Sequence, residues 1–326
     1  MPRNNLPLVI ITHALPKDWI SSLEHRCEIH IGPMDATELD QSLIDLLPQA
    51  EGLFTLLTIP VTEKMLQSAT KLRVVSNMAV GVDNIDIKAC TDRKIPVGNT
   101  PGVLTESTAD LTMSLILVIA RNIPQASLDA REGRWKTWSP AGWLGMELNG
   151  SILGIIGMGK IGKAVSRRAV GFGMKILFSD PEMKSIESAN QVPLEDLLKM
   201  SDIVTLHAPL TDHTRGMINQ SRLSLMKSTA ILINAARGPL VDTRALLEAL
   251  QQHTIASAAL DVTDPEPLPS DHPLYRLPNC LIVPHIGSAT QQTRRKMAEL
   301  ACENLLAGLQ GEHLPHCANP EVYLQL

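Results

Sequence analysis

The 326-residue chain has no block of basic residues and no uninterrupted apolar run long enough to cross a membrane. Its 29 Lys and Arg are scattered among 34 Asp and Glu, which gives a formal net charge of −5. Neither a nucleic acid nor an anionic membrane surface is therefore expected as a partner. The first residues, MPRNNLPLVIITHALP, lack the apolar core and the cleavage site of a secretory signal.

Cysteine is sparse: there are five, at positions 27, 90, 280, 302 and 317, without a CxxC motif or a neighbouring pair of histidines. This distribution is typical of reduced thiols and does not suggest a zinc site or a disulfide framework. We therefore expect a cytoplasmic protein without a bound metal. The length and the 44% apolar content indicate a globular chain with two domains.

Short strand-like runs alternate with helical patterns along the whole chain. The runs LVIIT, CEIHI, LFTLL, RVVSNM and IPVG predict strands in the first 101 residues, with helical spacing over 36–47, 62–69 and 85–93. A second series predicts strands over 152–156, 175–178, 203–207, 230–234, 258–261 and 281–283. This alternation predicts an α/β protein with doubly wound parallel sheets.

Two long helical patterns, over 103–122 and about 290–309, flank the second series of strands. The first follows Pro101-Gly102 and has an apolar face wide enough to pack against a second body. If it leads into the second domain, the last helix can lead back out of it. We therefore predict a discontinuous first domain, 1–101 with 289–326, and an inserted second domain, 102–288.

The second domain begins with a glycine-rich turn, GMGKIG, between a predicted strand and a predicted helix. Gly157 allows the tight turn, Gly159 lets the backbone approach a pyrophosphate, and Gly162 lets the helix lie close to the sheet. The helix N-terminus offers unpaired N–H groups to phosphates. Asp180 follows at the end of the next strand, at the spacing of a ribose ligand. The pattern predicts a dinucleotide site.

Asp180 also bears on the choice of cofactor. A carboxylate there accepts hydrogen bonds from ribose hydroxyls and repels a 2′-phosphate, and Pro181 and Glu182 bring no compensating cation. We therefore predict NAD(H) in preference to NADP(H).

Three chemically distinct side chains follow three predicted strands of the same domain: Arg237 in NAARGPLVD, Glu266 in DVTDPEPLP and His285 in PHIGSAT. Each alone has an ordinary structural explanation, as a helix cap or ion pair, a turn carboxylate, and a strand-end histidine. Together at one sheet edge, beside a nucleotide turn, they suit a site that binds a carboxylate and exchanges a proton. The arginine matches a carboxylate, and the glutamate favours the protonated histidine.

These blocks resemble the D-isomer-specific 2-hydroxyacid dehydrogenases, and most closely their glyoxylate/hydroxypyruvate reductase branch. The resemblance covers nearly the whole chain, in MAVGVDNIDIKAC, TADLTMSLIL, LGIIGMGKIGKAV, DIVTLHAPLT, ILINAARGPLVD, LDVTDPEPLP and PHIGSAT. It implies a Rossmann-type cofactor domain inserted into a flavodoxin-like substrate domain, a homodimer joined through the cofactor domain and the long helix, and a catalytic set of Arg237, Glu266 and His285.

The resemblance also implies the remaining contacts. The substrate is assigned to Arg237, His285 and the backbone of Val80 and Gly81. The cofactor is assigned to the glycine turn with Asp180, and to Thr108, Met158, Lys160, Ile161, His207, Ala208, Pro209, Thr214, Ala235, Ala236, Arg237, Asp261, His285 and Gly287. Several glyoxylate reductases of this branch prefer NADPH and carry a basic residue where this chain has Asp180.

Three of the four tryptophans, Trp135, Trp138 and Trp143, lie in GRWKTWSPAGWLG. They form either a core or interface cluster or, as in the reductase branch, a segment that reaches the partner's active site, with Trp138 touching substrate. Two other functions stay open. One is a different substrate within the family, such as phosphite or a bulkier 2-keto acid, and the other is an NAD-sensing corepressor that binds without turnover.

Overall fold

The computed structural model describes residues 6–183 and 185–325, and these form two compact units. Unit 1 contains the chain up to Leu104 together with the segment from Thr290 onward, and unit 2 is Thr105–Ala289. Unit 1 is therefore discontinuous in sequence. The assignment of substrate to unit 1 and cofactor to unit 2 stays a prediction.

Unit 1 contains strands β1 (Leu8–Ile11), β2 (Glu28–Ile31), β3 (Gly52–Thr55), β4 (Val74–Asn77) and β5 (Val97–Gly98). Its helices are α1 (Gln41–Ile44), α2 (Glu63–Ser68), α3 (Ile87–Asp92) and, from the C-terminal segment, α10 (Gln291–Gln310). The strands form a parallel sheet in the order β2-β1-β3-β4-β5. Since the connections run in opposite directions from β1, the sheet is doubly wound.

Unit 2 begins with α4 (Thr105–Ala120) and α5 (Ile123–Arg131). Its strands are β6 (Ile152–Ile156), β7 (Lys175–Ser179), β8 (Asn190–Gln191), β9 (Ile203–Leu206), β10 (Ile231–Asn234), β11 (Ser257–Leu260) and β12 (Cys280–Ile282). The remaining helices are α6 (Lys160–Gly171), α7 (Leu194–Met200), α8 (Gln220–Leu223) and α9 (Thr243–Gln251). The parallel sheet has the order β12-β11-β10-β9-β6-β7-β8. The predicted fold class, two α/β domains with parallel sheets, is confirmed.

Both sheets are buried on both faces, which explains why their central strands are continuous apolar runs. In unit 2, Leu153 and Ile155 of β6 pack with Ile116 of α4, and all three are fully buried. Each such side chain contributes roughly 1.5–3 kcal/mol by leaving water. In unit 1, α10 packs on β4, where the Ser76 hydroxyl donates to the Ala301 carbonyl at 2.7 Å.

The helix predicted over 36–47 is wrong in extent, because only Gln41–Ile44 is α-helical and a 3-10 turn follows at Leu47–Gln49. Asp40 caps the start by accepting the Ser42 N–H at 2.9 Å. Pro48 has no N–H with which to continue the α-helix, and a short 3-10 turn replaces it. The sequence also did not reveal β8, a two-residue edge strand.

None of the single helices within 6–183 and 185–325 has the length and apolar character of a membrane span. The pair formed by α4 and α5, bent by 60°, meets the criterion only through its combined length and composition. Nine residues of α4 are buried.

Candidate active site

Three neighbouring strands of unit 2 end at the same level of the sheet. Asn234 at the end of β10 pairs with Leu260 of β11, and Leu260 pairs with Ile282 of β12. The loops that carry Arg237, Glu266 and His285 start from these three positions. They therefore leave the carboxyl edge of adjacent parallel strands, the edge at which doubly wound sheets bind ligands.

The structure brings His285 and Glu266 into direct contact. The His285 Nδ1 lies 2.5 Å from Glu266 Oε1, and Glu266 Oε2 accepts the Thr263 N–H at 3.2 Å. Both carboxylate oxygens are thus engaged, and the ring is oriented through Nδ1. The His285 Nε2 has no hydrogen-bond partner in the described part of the chain, and the side chain is 30% exposed. A ligand oxygen can therefore reach Nε2.

The backbone at His285 adopts an unusual conformation that its neighbours hold in place. Its φ of +50° lies in the left-handed region, which is costly for a residue with a side chain. The His285 N–H donates to the carbonyls of Asp261 at 2.9 Å and Val283 at 3.0 Å. The Asp261 carboxylate accepts the N–H groups of Ile286 at 2.6 Å and Gly287 at 2.9 Å. The loop therefore presents the imidazole in one defined direction.

Asp261 is almost fully buried beneath this loop. Burial raises the pKa of its carboxyl, and the N–H donors of Ile286 and Gly287 and the nearby His285 oppose that rise. Asp261 therefore stabilises the conformation of this loop. Its predicted contact with the cofactor stays a prediction.

The loop that carries Arg237 lies against the loop that carries Glu266. The Asn234 side-chain amide donates to the Arg237 carbonyl at 2.8 Å, and Arg237 Nη1 donates to the Ala236 carbonyl at 2.8 Å. Gly238 lies so close to this loop that a Cβ there would be 1.8 Å from the Thr263 carbonyl oxygen. Gly238 is thus required for the close approach of the two loops, and sequence reasoning missed it, although its place directly after Arg237 was a usable signal.

The glycine-rich turn follows β6 as the sequence predicts. Gly157 has φ +92°, and a Cβ there would lie 2.6 Å from the Ala208 backbone nitrogen. A Cβ on Gly162 would lie 2.3 Å from the Gly157 carbonyl oxygen. Gly159 caps α6, and a Cβ there would meet nothing within 4 Å. The turn is therefore tightly packed on its inner side and open at the helix N-terminus, which fits a dinucleotide pyrophosphate.

The turn also lies where the order of strands reverses. From β6 the chain adds β7 and β8 on one side and then β9 on the other. The loop after β9, which contains His207, Ala208 and Pro209, packs against Gly157. Thr214 fixes this loop, since its Oγ1 donates to the Pro209 carbonyl at 2.7 Å. Such a switch point is where doubly wound sheets bind nucleotides.

Asp180 has a second role that the sequence did not predict. Its carboxylate accepts the N–H groups of Met158 at 2.7 Å, Glu182 at 2.9 Å and Met183 at 3.0 Å. Burial alone would raise the pKa of Asp180, but these donors and the nearby Lys163 bring it below its ordinary value. Oδ2 accepts only one of these bonds, so it keeps capacity for a ribose hydroxyl.

His207 is neutral in the folded protein. Its Nε2 lies 3.0 Å from the Thr205 hydroxyl, and Nδ1 is enclosed without a hydrogen-bond partner among the described residues. The residue as a whole is only partly buried, but the ring is enclosed, and burial lowers its pKa to about 4. His207 therefore lies beside the glycine turn as an uncharged ring with a polar atom, Nδ1, that has no partner among the described residues.

The other predicted cofactor residues lie in unit 2, and several of their side chains are buried. Met158 is fully buried and its N–H is donated to Asp180, so any role in cofactor binding runs through Asp180. Thr108 and Ala235 are buried, whereas Ala236 and Ile161 are partly buried and Lys160 is exposed. A Cβ on Gly287 would lie 3.3 Å from Thr108 Oγ1. Val80 and Gly81 lie in unit 1.

The tryptophan segment forms an anchored, exposed arm after α5. Asp129 of α5 accepts from Trp143 Nε1 at 2.8 Å and from Arg134 Nε at 2.9 Å. Trp138 is 79% exposed and Trp135 62% exposed, beside a surface hollow of about 340 Å³ lined by residues of the arm and α5. The arm is therefore not a core cluster within the chain.

No group of His, Cys, Asp or Glu in 6–183 and 185–325 could hold a metal.

The sequence was compared with protein-family models and with known proteins. The family model for the D-isomer specific 2-hydroxyacid dehydrogenase NAD binding domain matches residues 113–287. A glyoxylate reductase of Korarchaeum cryptofilum is 44% identical over 321 residues, 97% of each chain.

Two solved structures are similar over nearly the whole chain. A Thermus thermophilus protein has a TM-score of 0.90 at 45% identity, covering 95% of this chain and 99% of its own. The NADPH-dependent glyoxylate/hydroxypyruvate reductase of Sinorhizobium meliloti, in complex with NADP and malonate, has a TM-score of 0.84 at 29% identity. It covers 96% of this chain and 98% of its own.

Proposed function

Because the chain belongs to the D-isomer-specific 2-hydroxyacid dehydrogenase family, a family of oxidoreductases, we propose that it reduces glyoxylate or hydroxypyruvate. The products are glycolate or D-glycerate. The observation that carries the proposal is the 2.5 Å contact between His285 Nδ1 and Glu266 Oε1. It holds an acid–base histidine with its other nitrogen available to a substrate oxygen. Support for the substrate class comes from relatives named glyoxylate reductase that match over the full length.

In the proposed reaction, Arg237 binds the substrate carboxylate together with the backbone N–H groups of Val80 and Gly81. The guanidinium also polarises the ketone as negative charge grows on its oxygen. A bound nicotinamide supplies the hydride. Protonated His285 donates its Nε2 proton to the nascent alkoxide, and the Glu266 carboxylate stabilises the charged ring until that transfer. The left-handed backbone at His285 keeps the donor aimed while this happens.

The test is an absorbance assay of NADH oxidation across glyoxylate, hydroxypyruvate, pyruvate and larger 2-keto acids. We expect the highest kcat/KM with glyoxylate and hydroxypyruvate. Turnover confined to the larger acids would overturn the substrate assignment. Absence of turnover with every acid would overturn the enzymatic proposal itself.

We propose that NAD(H) is preferred over NADP(H). The family model describes an NAD-binding domain, whereas the Sinorhizobium meliloti relative is NADPH-dependent, so the preference depends on local residues. The Asp180 carboxylate, kept ionised by its N–H donors, repels a 2′-phosphate. Lys163 is a nearby cation that acts in the opposite direction. Equal or better kcat/KM with NADPH would overturn the preference. In Asp180→Ser, discrimination should fall while Lys163→Gln should strengthen it.

We propose a cytoplasmic homodimer, joined through the unit 2 surface that includes the long helix α4, in which the exposed arm contacts a second copy. The support is the exposure of Trp135 and Trp138 on an arm held by Asp129. Sedimentation equilibrium tests the dimer, and a monomer at micromolar concentration would overturn it.

If Trp138 touches substrate in the partner, Trp138→Ala raises KM for the keto acid more than Trp135→Ala does. Equal effects of the two changes would overturn that contact.

A further inference from the structure

In the loop after β4, residues 78–84, hereafter the β4 loop, three carbonyls are hydrogen-bonded but three N–H groups are not. The carbonyls of Ala79, Val80 and Gly81 all accept hydrogen bonds from the body of unit 1. The N–H groups of Val80, Gly81 and Val82 donate to no acceptor among the described residues. Val80 is exposed, whereas Gly81 and Val82 are half-buried, where N–H groups are normally paired. Three consecutive open N–H donors are a feature of anion sites, so the β4 loop suggests such a site.

The three carbonyls have three different donors. The Thr100 N–H bonds the Ala79 carbonyl at 2.8 Å, and the Asn99 side-chain amide bonds the Val80 carbonyl at 2.9 Å. The Asn77 side-chain amide bonds the Gly81 carbonyl at 2.9 Å. In a trans peptide the carbonyl of one residue and the N–H of the next point in opposite directions. Each fixed carbonyl therefore turns the following N–H away from the protein.

The orientation of Asn77 is set by its neighbour. Asn84 Nδ2 donates to the carbonyls of Leu56 at 3.1 Å and Ile59 at 3.2 Å, so Asn84 presents its oxygen to Asn77. Asn77 must therefore present its nitrogen, which donates to Asn84 Oδ1 at 3.1 Å as well as to Gly81. Asn77 Oδ1 is buried and has no partner in the described part of the chain. A buried oxygen without a donor is destabilising, which suggests that the amide is kept for what its nitrogen holds.

Asn99 is anchored from the opposite side. Its carbonyl accepts from Asn304 Nδ2 on α10 at 2.9 Å, and its N–H donates to the His316 carbonyl at 3.3 Å. The backbone of Asn99 is therefore fixed on both sides. The bond to Val80 links the β4 loop to α10 through a single residue.

We propose that Asn99 and Asn77 are positioning residues, which orient the Gly81 and Val82 N–H groups of the β4 loop toward the substrate carboxylate. The proposal rests on the proposed function, in which Val80 and Gly81 bind that carboxylate. It adds Val82 as a third backbone donor. The two asparagines do not touch the substrate, and they act by fixing the carbonyls of Val80 and Gly81.

The test compares Asn99→Ala and Asn99→Asp with Thr70→Val, a control elsewhere in unit 1. The Thr70 hydroxyl also donates to a backbone carbonyl, that of Pro48 at 3.4 Å, but it lies outside the β4 loop. Both Asn99 variants lose the donor to Val80, so KM for glyoxylate should rise roughly 10-fold, since a hydrogen bond to a charged group is weakened. The kcat should change less than about 3-fold, because binding is lost equally in the ground and transition states.

The control should keep both constants, and all variants should keep the wild-type affinity for NADH. An unchanged KM in both Asn99 variants, with turnover intact, would overturn the proposal. A fall in kcat and thermal stability without a change in KM would also overturn it, since that is the result of a merely structural residue. Asn77→Ser, which removes the longer amide, should act in the same direction as Asn99→Ala.

Amide hydrogen exchange gives a second result that does not depend on turnover. Oxalate, a small dicarboxylate, should slow exchange of the Val80, Gly81 and Val82 amides in the wild type and protect them less in Asn99→Ala. If the wild type reduces no 2-keto acid yet oxalate protects these amides, the proposed function fails and the inference stands. If oxalate gives no protection in an active wild type, the inference fails alone.

Discussion

In the glycine-rich turn after β6, the close contacts are made by backbone atoms, and the functional feature is the space left by missing side chains. In the site after β10, β11 and β12, the functional groups are side chains, and the backbone serves to hold them. The two regions belong to one sheet and leave it at the same edge. Added atoms should therefore harm the first region, whereas removed atoms should harm the second.

The two regions share one means of stabilisation. In each, a buried or half-buried aspartate accepts N–H groups from a loop: Asp180 from Met158, Glu182 and Met183, and Asp261 from Ile286 and Gly287. A carboxylate with several N–H donors fixes a loop without using the loop's own side chains. Those side chains, or their absence, remain available for ligands.

The largest expected effect comes from removing the side chain that carries the proton. His285→Ala should lower kcat for glyoxylate reduction roughly 10²- to 10⁴-fold, the range for a lost general acid. NADH affinity, measured by fluorescence titration, should stay close to that of the wild type. His30→Ala, on the edge strand β2 of unit 1, is the control and should be neutral. Near-normal turnover of His285→Ala with tight NADH binding would remove the histidine from the mechanism.

The opposite experiment adds a methyl group to the turn. In Gly157→Ala the new Cβ would lie 2.6 Å from the Ala208 nitrogen at a φ of +92°, so unfolding should require about 1–3 kcal/mol less. In Gly159→Ala the Cβ meets nothing within 4 Å, so stability should change by less than about 1 kcal/mol. Thermal unfolding without cofactor measures both.

NADH binding separates the two glycines further. If phosphates approach Gly159, the added methyl group should weaken NADH binding roughly 10-fold or more while the protein stays folded. Gly171→Ala, where a Cβ also meets nothing within 4 Å, is the matched control and should bind NADH normally. A Gly159→Ala protein with wild-type NADH affinity would contradict a pyrophosphate site at this turn.

The sequence predicted the elements that depend on local pattern. The strand β6 has the predicted bounds, 152–156, and α10 begins after Thr290 as the helical spacing indicates. The glycine turn was predictable because each glycine meets a local steric requirement. The helix over 36–47 failed because Pro48 and the Asp40 cap limit it, although the apolar spacing continues.

What the sequence did not predict depends on contacts between distant segments. The approach of Gly238 to Thr263, the proximity of Lys163 to Asp180, and the bond from Asn99 to Val80 join residues that only the fold brings together. The contact between His285 and Glu266 was predicted only because both follow strands of one sheet. A side chain's exact partner requires strand order, which no local pattern encodes.

A smaller effect concerns the pH dependence of stability near the turn. Burial lowers the pKa of His207 to about 4, from 6.5 in the unfolded chain, so unfolding takes up a proton between these values. The free energy of unfolding should therefore fall as the pH drops from 6.5 toward 4, by up to ~3 kcal/mol. Buried His13, whose pKa is also lowered by burial, contributes in the same direction. Urea unfolding of wild type and His207→Gln across this range should show a flatter dependence in the variant, and identical slopes would contradict the account.

The smallest effect tests the electrostatic part of the catalytic pair. Glu266→Gln keeps the shape and a hydrogen-bond acceptor next to His285 Nδ1 but removes the negative charge, so the protonated ring is favoured less. Since the two side chains are 30% and 40% exposed, solvent weakens their attraction, and the expected change is about half a pH unit. The pH at which kcat/KM for glyoxylate reduction declines should move down by that amount. For oxidation of the hydroxy acid, which requires the unprotonated ring, the rising limb of the pH profile should move to lower pH as well.

Glu248→Gln, at an exposed ion pair on α9, is the control with an unchanged profile. A displacement in only one direction of reaction would exclude a common ionisation of His285, and no displacement in either would leave Glu266 a steric support whose charge has no part in the proton transfer.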